Sequence, residues 1–368
     1  MYLGERIHSM KKELFVSGVT ELSGNHTDHQ NGRILAAAID LGLSARFEAN
    51  GSDLVRIRSD GYEPFEVKLN HLAVRTAEFG QAKAMARGVA DAFQELGLNI
   101  GGFDAVIRST LPAGSGLSSS AAFSVLIARI FNELFNAGKI QPIVLARAAQ
   151  QAENRHFGKP CGLMGQMVCA LGHTVYADFT TQEIEHIHAD FSAMGLTLCV
   201  TNTGGSHAGL DTSYARIPAD MVYIANLFDK GLLGDVDPNQ FWSQGWDASN
   251  RPVRRAMHFF NENERVPRMR DALKAGNAEL YIRLMNESGR SSEELLNNIV
   301  TSTTGDTTLQ QGLEKSARLL EGRGAWRVHG GGFAGCVQAL MPEADFPLYR
   351  QEMDRTFGPG ACREIRLV

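Results

Sequence analysis

Residues 111–122 read LPAGSGLSSSAA and connect a strand predicted over residues 103–108 to a helix predicted over residues 118–135. Gly114 and Gly116 permit backbone conformations in which successive amide N–H groups point toward one centre. The helix that begins at the serines adds its unpaired N–H groups and the positive end of its dipole. Together these features predict a site for the phosphates of a nucleotide. The predicted phosphate-binding residues are Pro112, Gly114, Ser115, Gly116, Leu117, Ser118, Ser119 and Ser120.

A simpler interpretation of this stretch is a glycine-rich turn followed by an ordinary serine N-cap. For PxGxG alone we would prefer that interpretation. The three serines and two alanines at the start of the helix favour a phosphate loop instead. The stretch is not a Walker A loop, because no Lys-Ser or Lys-Thr pair follows its last glycine.

The order of the remaining elements predicts an α+β fold. Strands cluster in the first part of the chain and helices in the second, whereas a doubly wound sheet would alternate them. An early strand over residues 14–16 is predicted to enter a polar loop over residues 17–32. The other predicted strands cover residues 45–48, 54–58, 196–201 and a pair that flanks Gly330–Gly335, and the other predicted helices cover residues 79–96, 142–157 and most of 214–320.

The composition limits the functional classes. The 36 basic and 41 acidic residues give a formal net charge of −5 without a basic cluster, which argues against nucleic-acid and membrane partners. No window approaches the roughly 18 consecutive apolar residues of a membrane span. Residues 1–15 contain no stretch typical of a signal peptide, and the five scattered cysteines lack metal-ligand spacing. We therefore expect a cytoplasmic protein with reduced thiols.

Three stretches resemble motifs of the galactokinase family within the GHMP (galactose, homoserine, mevalonate, phosphomevalonate) kinase superfamily. PAGSGLSSSAA, residues 112–122, is similar to the second motif of the superfamily. Residues 17–32, SGVTELSGNHTDHQNG, resemble the galactokinase motif PGRVNLIGEHTDYNDG. Residues 330–336, GGGFAGC, resemble GGGFGGC.

Shorter matches occupy the intervals between these motifs, in the order of the family. Residues 151–154 and 160–166 resemble QAEH and PCGxMDQ, residues 201–203, His207 and residues 213–216 resemble TNS, H and SEYxxR, and residues 284–288 resemble LMVES. Because the matches run along nearly the whole chain, the sequence is identified as a member of the galactokinase family, divergent at two catalytic positions.

The resemblance implies a two-lobed GHMP-kinase fold with mixed sheets and helices and with the active site between the lobes. Residues 1–195 would form the N-terminal lobe, with the HTD segment that contacts the sugar and the serine loop that binds ATP. Residues 196–368 would form the C-terminal lobe, which contains the glycine-rich motif Gly330, Gly331, Gly332 and Gly335. The implied ligands are a sugar or polyol, ATP and Mg²⁺.

The resemblance also implies roles for individual residues. Glu153 lies twelve residues before Gly165, at the spacing of the family's Mg²⁺-associated glutamate, so it would hold the metal together with Ser119 or Ser120. The alternative for Glu153 is a helix glutamate that faces solvent. The residues implied to bind the sugar are Asn25, His26, Asp28 and Tyr214.

The sequence departs from the family where its chemistry is performed. Gly165 replaces the aspartate of CGxMDQ, which is assigned as the base, and Val19 replaces the arginine of PGRVN that pairs with it. Losing only the aspartate would leave a buried arginine unpaired, whereas losing both leaves a neutral site. The double change therefore indicates an adapted site, whose catalytic residues the sequence leaves unknown.

Further departures affect the sugar segment and the choice of a base. Asn25 replaces the glutamate of GEHTD, and His29 replaces the tyrosine that follows that motif. His29 and His329 are candidates to replace the missing base, because histidine is a competent base near neutral pH. The alternative for each is a structural histidine that bonds a loop carbonyl.

Two functional hypotheses follow. The first is an ATP-dependent kinase for galactose or a related sugar or polyol, since phosphoryl transfer relies mainly on positioning and electrostatics. The second is a catalytically silent sensor that binds sugar and ATP and acts through a protein partner. The retained serine loop, Glu153 and GGGFAG favour ATP binding under both hypotheses.

Overall fold

The chain divides into two compact units that are discontinuous in sequence. The computed structural model describes residues 12–112, 114–205, 209–300 and 303–368, so Ala113 and His207 lie outside the described residues. The first unit contains the chain up to Val19, Ala38–Pro112 and Leu117–His173, and the second contains Thr20–Ala37, Ala113–Gly116 and Thr174–Val368. The lobe boundary at residue 195 stays a prediction.

The first unit contains a sheet with strand order β4-β3-β5-β2. The strands at the start of the chain are β1 (Lys12–Ser23), β2 (Arg33–Ala49), β3 (Leu54–Ser59), β4 (Phe65–Lys68) and β5 (Phe103–Ser109). Residues 43–49 of β2 pair antiparallel with β5, and β3 pairs parallel with β5. In this part of β2, Leu43, Ala45 and Phe47 are buried while Ser44 and Arg46 are exposed, as expected for a strand with one covered face.

Four helices pack together in the first unit. They are α1 (Ala82–Glu95), α2 (Ser119–Phe135), α3 (Pro142–Gln151) and α4 (Met164–Leu171). Helix α3 continues into a π-helical turn, Ala152–Phe157, which ends at Gly158 with a φ of +79°. Gly88 of α1 permits a close approach there, because a Cβ on it would lie 2.8 Å from Ala152. The helices predicted over residues 79–96, 118–135 and 142–157 are confirmed.

The second unit contains a four-stranded antiparallel sheet of order β11-β8-β10-β9. Its strands are β8 (Leu196–Asn202), β9 (Ala325–His329), β10 (Cys336–Pro342) and β11 (Cys362–Ile365). In addition, β6 (Val175–Asp178) pairs with residues 33–36 of β2, and β7 (Glu183–His186) pairs with β6. Its helices are α5 (Asp211–Asn226), α6 (Pro238–Trp242), α7 (Arg251–Lys274), α8 (Ala278–Ser291), α9 (Thr308–Leu320) and α10 (Phe346–Phe357). The buried rings of Phe241, Phe259 and Phe260 form part of the core over α5 and α7.

The α+β class and most predicted elements are confirmed, with one clear error. The loop predicted over residues 17–32 is wrong up to Ser23, because β1 continues to that residue with residues 16–23 buried. Polar Thr20, Glu21 and Ser23 made this stretch resemble a loop, but each bonds a buried side chain of the second unit. No helix in the described part of the chain is long and apolar enough to cross a membrane.

Candidate active site

The serine loop has the backbone that its glycines predict. Gly114 and Gly116 both have a φ of +68°, in the region that glycine adopts without strain. Ser118, the residue before α2, also lies in the left-handed region with a φ of +59°, which is uncommon for a residue with a Cβ. Of the predicted phosphate-binding residues, Ser119 and both glycines are exposed, Pro112, Ser118 and Ser120 are half-buried, and Ser115 and Leu117 are buried.

The glycine segment of the loop packs on a row of three residues from neighbouring strands of the second unit. Asn202, Cys336 and His329 face one another across β8, β10 and β9, and we call them the strand-end row. The Cys336 thiol donates to the Gly114 carbonyl at 3.4 Å. A Cβ built on Gly116 would lie 3.1 Å from Nδ1 of His329, and one on Gly114 would lie 3.5 Å from Nδ2 of Asn202.

Glu153, in the turn that follows α3, is a buried carboxylate that contacts the first turn of α2. Its side chain accepts a hydrogen bond from Ser120 Oγ at 2.8 Å and another from Gln166 Nε2 at 2.7 Å. Glu153 is 2% exposed, so the alternative of a solvent-facing glutamate is wrong. No ion pair joins Glu153 to any residue of the described ranges. A buried carboxylate without a cation is costly, and therefore Glu153 and Ser120 fit a divalent cation.

The side chains near Glu153 fit Mg²⁺ better than a metal whose ligands all come from the protein. Among the residues that the structure describes, no group of three or more His, Cys, Asp or Glu side chains could hold a metal. Mg²⁺ is commonly held by one or two carboxylates together with water and substrate phosphates. The pair Glu153 and Ser120 matches that pattern, whereas Ser119 is exposed.

Val19 and Gly165 leave the first unit neutral at the two divergent positions. Val19 is buried in β1 and its backbone N–H donates to the Leu117 carbonyl at 3.1 Å. Gly165 lies in the first turn of α4, where a Cβ would be 3.2 Å from Cβ of Ala121 and 3.4 Å from Oγ of Ser118. A side chain at Gly165 would therefore lie against the start of the serine helix.

Asn25, predicted to contact the sugar, has protein partners on both sides of its amide. It is buried, and Nδ2 donates to the Gly330 carbonyl at 2.8 Å and to Glu21 Oε1 at 3.3 Å. Its Oδ1 accepts from Ser292 Oγ and Asn298 Nδ2, both at 3.3 Å. An asparagine amide has two donors and two acceptor sites, so this side chain is saturated. Asn25 joins the sugar segment to the glycine-rich motif.

A buried ionic network that the sequence interpretation missed lies behind Asn25. Arg327 donates to Glu21 Oε1 at 3.0 Å and to Ser288 Oγ at 3.2 Å, and Glu262 accepts from Gly24 N at 3.0 Å and pairs with Arg265. Burial raises the pKa of Glu21, although Arg327 opposes this. Burial alone would also raise the pKa of Glu262, but Arg265, then His258 and Arg327, lower it to about 2.

His26 and His29 form a chain of neutral imidazoles. His26 Nε2 lies 3.1 Å from the Gly331 carbonyl and must donate to it, so its Nδ1 accepts from His29 Nε2 at 3.1 Å. His29 Nδ1 in turn accepts from Gln30 Nε2 at 3.2 Å. Desolvation lowers the pKa of His26 to about 3 and that of His29 to about 4.

The geometry disfavours both histidines as bases. Each ring nitrogen of His29 is engaged, and its lowered pKa makes it a weak base at neutral pH. His329 is buried against Thr20, and burial lowers its pKa to about 3. The alternative of a loop carbonyl partner describes neither histidine, because both bond side chains. A catalytic role for either one stays a prediction.

Tyr214 and the glycine-rich motif support each other. The Tyr214 hydroxyl donates to the Gly332 carbonyl at 2.7 Å, and a Cβ on Gly331 would be 2.9 Å from its ring. Gly330, Gly332 and Gly335 have φ values of +75°, +83° and +96°. Asp28 is half-buried, and its Oδ1 accepts from the backbone N–H of His29 at 2.8 Å. The second unit thus collects His26, Asp28, Tyr214 and the glycine-rich motif.

The missed residues had only weak signals in the sequence. Arg327, Glu262 and His258 lie far along the chain from residues 20–37, and nothing local indicates that they converge on that segment. Glu21 offered a signal, because it stands at the asparagine of PGRVNLIGEH while Asn25 stands at its glutamate. The exchange of types at two positions of one motif predicts a contact between them, which the structure contains.

Known proteins resemble this chain in sequence. Residues 83–173 match the family model of the GHMP kinases N terminal domain. The chain is 28% identical to a galactokinase of Clostridium tetani (strain Massachusetts / E88) over 354 residues, which cover 94% of this chain and 88% of that protein.

Solved structures extend the similarity to the whole fold. A Lactococcus lactis galactokinase complexed with galactose superposes with a TM-score of 0.86 at 21% identity, covering 99% of this chain and 97% of that one. A Methanococcus jannaschii mevalonate kinase superposes with a TM-score of 0.68 at 16% identity, covering 97% and 98%. Residues 83–173 thus match the GHMP kinase N-terminal domain, and the whole chain is similar to galactokinases in sequence and in fold.

Proposed function

We propose that the chain transfers the terminal phosphate of Mg-ATP to a sugar or a closely related polyol. The observation that supports this most directly is the buried Glu153 carboxylate, bonded to Ser120 at the start of the serine helix and without a cationic partner in the described ranges. A site of this kind has little use in a protein that binds no metal–phosphate complex. The similarity to galactokinases makes a sugar hydroxyl the expected acceptor.

The residues would divide the work as follows. The amides of residues 114–118 and the N-terminus of α2 would bind the phosphates. Ser120 and Glu153 would hold Mg²⁺, which when bound would neutralise phosphate charge. Asp28 would accept hydrogen bonds from sugar hydroxyls, and Tyr214 would keep the glycine-rich motif in place. Because phosphoryl transfer relies on positioning and electrostatics, this arrangement requires no strong side-chain base.

The experiment is a panel of sugars and polyols incubated with purified protein and Mg-ATP, with ADP release as the readout. We expect at least one acceptor to raise ADP release well above the rate without acceptor, and Asp28→Asn to remove that increase. Calorimetric binding of Mg-ATP and of a sugar without any acceptor-dependent ADP release would contradict the kinase.

A catalytically silent sensor is the second candidate, favoured by one observation. Val19 and Gly165 place no charge at the two positions where galactokinases have their arginine and aspartate. Under this reading the chain would bind sugar and Mg-ATP and convey their presence to a protein partner. The sensor differs from the kinase only in turnover, so the activity of substituted proteins distinguishes the two hypotheses.

Restoring both family residues provides that separation. If the site is a galactokinase that has lost only its base, Val19→Arg with Gly165→Asp should raise galactose phosphorylation by about 10²–10⁴-fold, the usual contribution of a positioned base. The matched control is Val19→Met with Gly165→Asn, which adds similar volume without charge. A native kinase with another acceptor should instead lose activity in the charged double variant. Undetectable turnover in all variants, on every acceptor, would support the sensor.

A further inference from the structure

His329 has a ring nitrogen without a partner in the interior of the second unit. The residue is 3% exposed, and Nε2 lies 3.0 Å from Thr20 Oγ1. Nδ1 is inaccessible to water and has no hydrogen-bond partner among the described residues. A buried polar atom that lacks a partner is expensive in free energy, so a structure that retains one commonly uses it.

The unpartnered nitrogen lies under the glycine segment of the serine loop. A Cβ on Gly116 would be 3.1 Å from Nδ1, and the next atoms it would meet also belong to His329. The neighbouring row residue Cys336 already bonds the loop through the Gly114 carbonyl. Because residue 116 is a glycine, it places no side chain of its own between the loop backbone and the imidazole.

The surrounding hydrogen bonds determine which nitrogen carries the ring hydrogen. Arg327 Nε donates to Gln338 Oε1 at 3.0 Å, which orients the Gln338 amide so that Nε2 donates to Thr20 Oγ1 at 2.8 Å. Thr20 is buried and His329 Nε2 is the other partner of its hydroxyl, so the hydroxyl hydrogen donates to Nε2. The ring hydrogen is then on Nδ1, which becomes a donor that faces the loop.

We propose that His329 donates its Nδ1 hydrogen to an oxygen of the phosphate chain that the loop binds, with the two glycines adjusting to admit it. His329 is then a binding residue for a polyphosphate rather than a base. The inference rests on the proposed function insofar as ATP is the source of that polyphosphate. Thr20 and Gln338 become positioning residues, because they determine which tautomer of the ring faces the loop.

Two substitutions of His329 separate the role of its Nδ1 from that of its Nε2. In His329→Asn the Nδ2 amide lies near the former Nδ1 and keeps a donor toward the loop. In His329→Gln the longer side chain reaches the former Nε2 and keeps the bond to Thr20. Calorimetry with inorganic tripolyphosphate, Mg-ATP and adenosine should show near-native affinities for the Asn variant. The Gln variant should bind both phosphate ligands at least about tenfold more weakly, with adenosine unchanged. Native affinity in the Gln variant, or rescue by Gln and not by Asn, would overturn the proposal.

A measurement on the unaltered protein protects the test against misfolded variants. In protein labelled with ¹⁵N-histidine, the Nδ1 resonance of His329 should shift on addition of tripolyphosphate and of Mg-ATP. A shift with tripolyphosphate but no binding of ATP would keep this inference and reject the proposed function. Binding of ATP with an unmoved Nδ1 resonance would reject this inference and keep the proposed function. No response to either ligand would overturn both the inference and the proposed function.

Discussion

At the scale of single residues, Glu21 and Asn25 exchange the types that the galactokinase motif has at their positions. Their side chains are buried and hydrogen-bonded, so the pair keeps one carboxylate and one amide. The exchange moves the carboxylate to the residue that meets Arg327 at 3.0 Å. Residue 25 therefore carries no charge, and the Asn25 amide bonds residues 17–32 to the Gly330 carbonyl. The two substitutions are interpretable only together.

The pair predicts non-additive stability. Asn25→Glu places a second buried carboxylate within hydrogen-bonding distance of Glu21, and Glu21→Asn leaves Arg327 without its carboxylate partner. Each single variant should lose about 3 kcal/mol or more of unfolding free energy. The double variant should lose less than the sum by at least about 1 kcal/mol, measured by urea unfolding. Gln94→Glu, an amide-to-carboxylate change on an exposed helix position, is the control and should have little effect. Additive losses would contradict the coupling.

At the scale of elements, the π-helical turn after α3 determines where Glu153 points. Within Ala152–Phe157, Glu153 and His156 are buried whereas Asn154 and Arg155 are exposed. The carboxylate therefore faces Ser120 on α2 and Gln166 on α4. Turns of this type often occur at functional sites, since the extra residue changes the direction of a side chain.

Glu153→Gln tests whether the carboxylate of Glu153 binds a cation. The substitution keeps the shape of the side chain and an oxygen that accepts from Ser120, but removes the charge. Affinity for Mg-ATP should fall by about tenfold or more, because the divalent cation loses its carboxylate. Affinity for ATP in the presence of a chelator should stay the same, since the phosphates still bind the loop. Glu95→Gln, an exposed change at the end of α1, should alter neither. Equal losses with and without metal would argue against a metal role.

The elements also show how far the sequence alone could lead. Helices α1 to α3 and the glycine conformations of the serine loop follow from local spacing and could be predicted, whereas α4 was not. The end of β1 could not, because Thr20 and Ser23 resemble loop residues until Gln338 and Glu262 supply buried partners. The hydrogen bonds of Asn25 and His29 could not be predicted for the same reason. Their hydrogen bonds involve residues that only the tertiary structure brings close, such as Asn298, or a tautomer that it selects.

At the scale of the whole molecule, the second unit buries several histidines in the neutral form. Desolvation lowers the pKa values of His26 and His329 to about 3 and of His29 to about 4, and burial also lowers the pKa of His258. Unfolding returns each to an ordinary value near 6.5. Below that pH the unfolded chain binds more protons than the folded chain, so folding becomes less favourable as the pH falls.

Acid sensitivity should therefore begin near neutral pH. The stability contributed by these neutral rings is complete above about pH 6.5 and is lost as the pH falls toward 4, at about 1.4 kcal/mol per pH unit for each histidine. Urea unfolding at pH 7.5, 6 and 5 measures the slope. His29→Gln should reduce the slope between pH 6 and 5 by roughly one such increment, and His71→Gln at an exposed position should not. A slope that His29→Gln leaves unchanged would contradict the assignment of His29.

The routing of the chain has a consequence for how such a protein can diversify. The backbone changes unit five times, after residues 19, 37, 112, 116 and 173. Strands β1 and β2 each continue through such a change without a break. No contiguous piece of the gene therefore encodes either unit alone, and recombination at a single crossover cannot exchange one unit for a homologue's. Substitutions at single positions, such as Val19, Glu21, Asn25 and Gly165, instead change a unit without exchanging it.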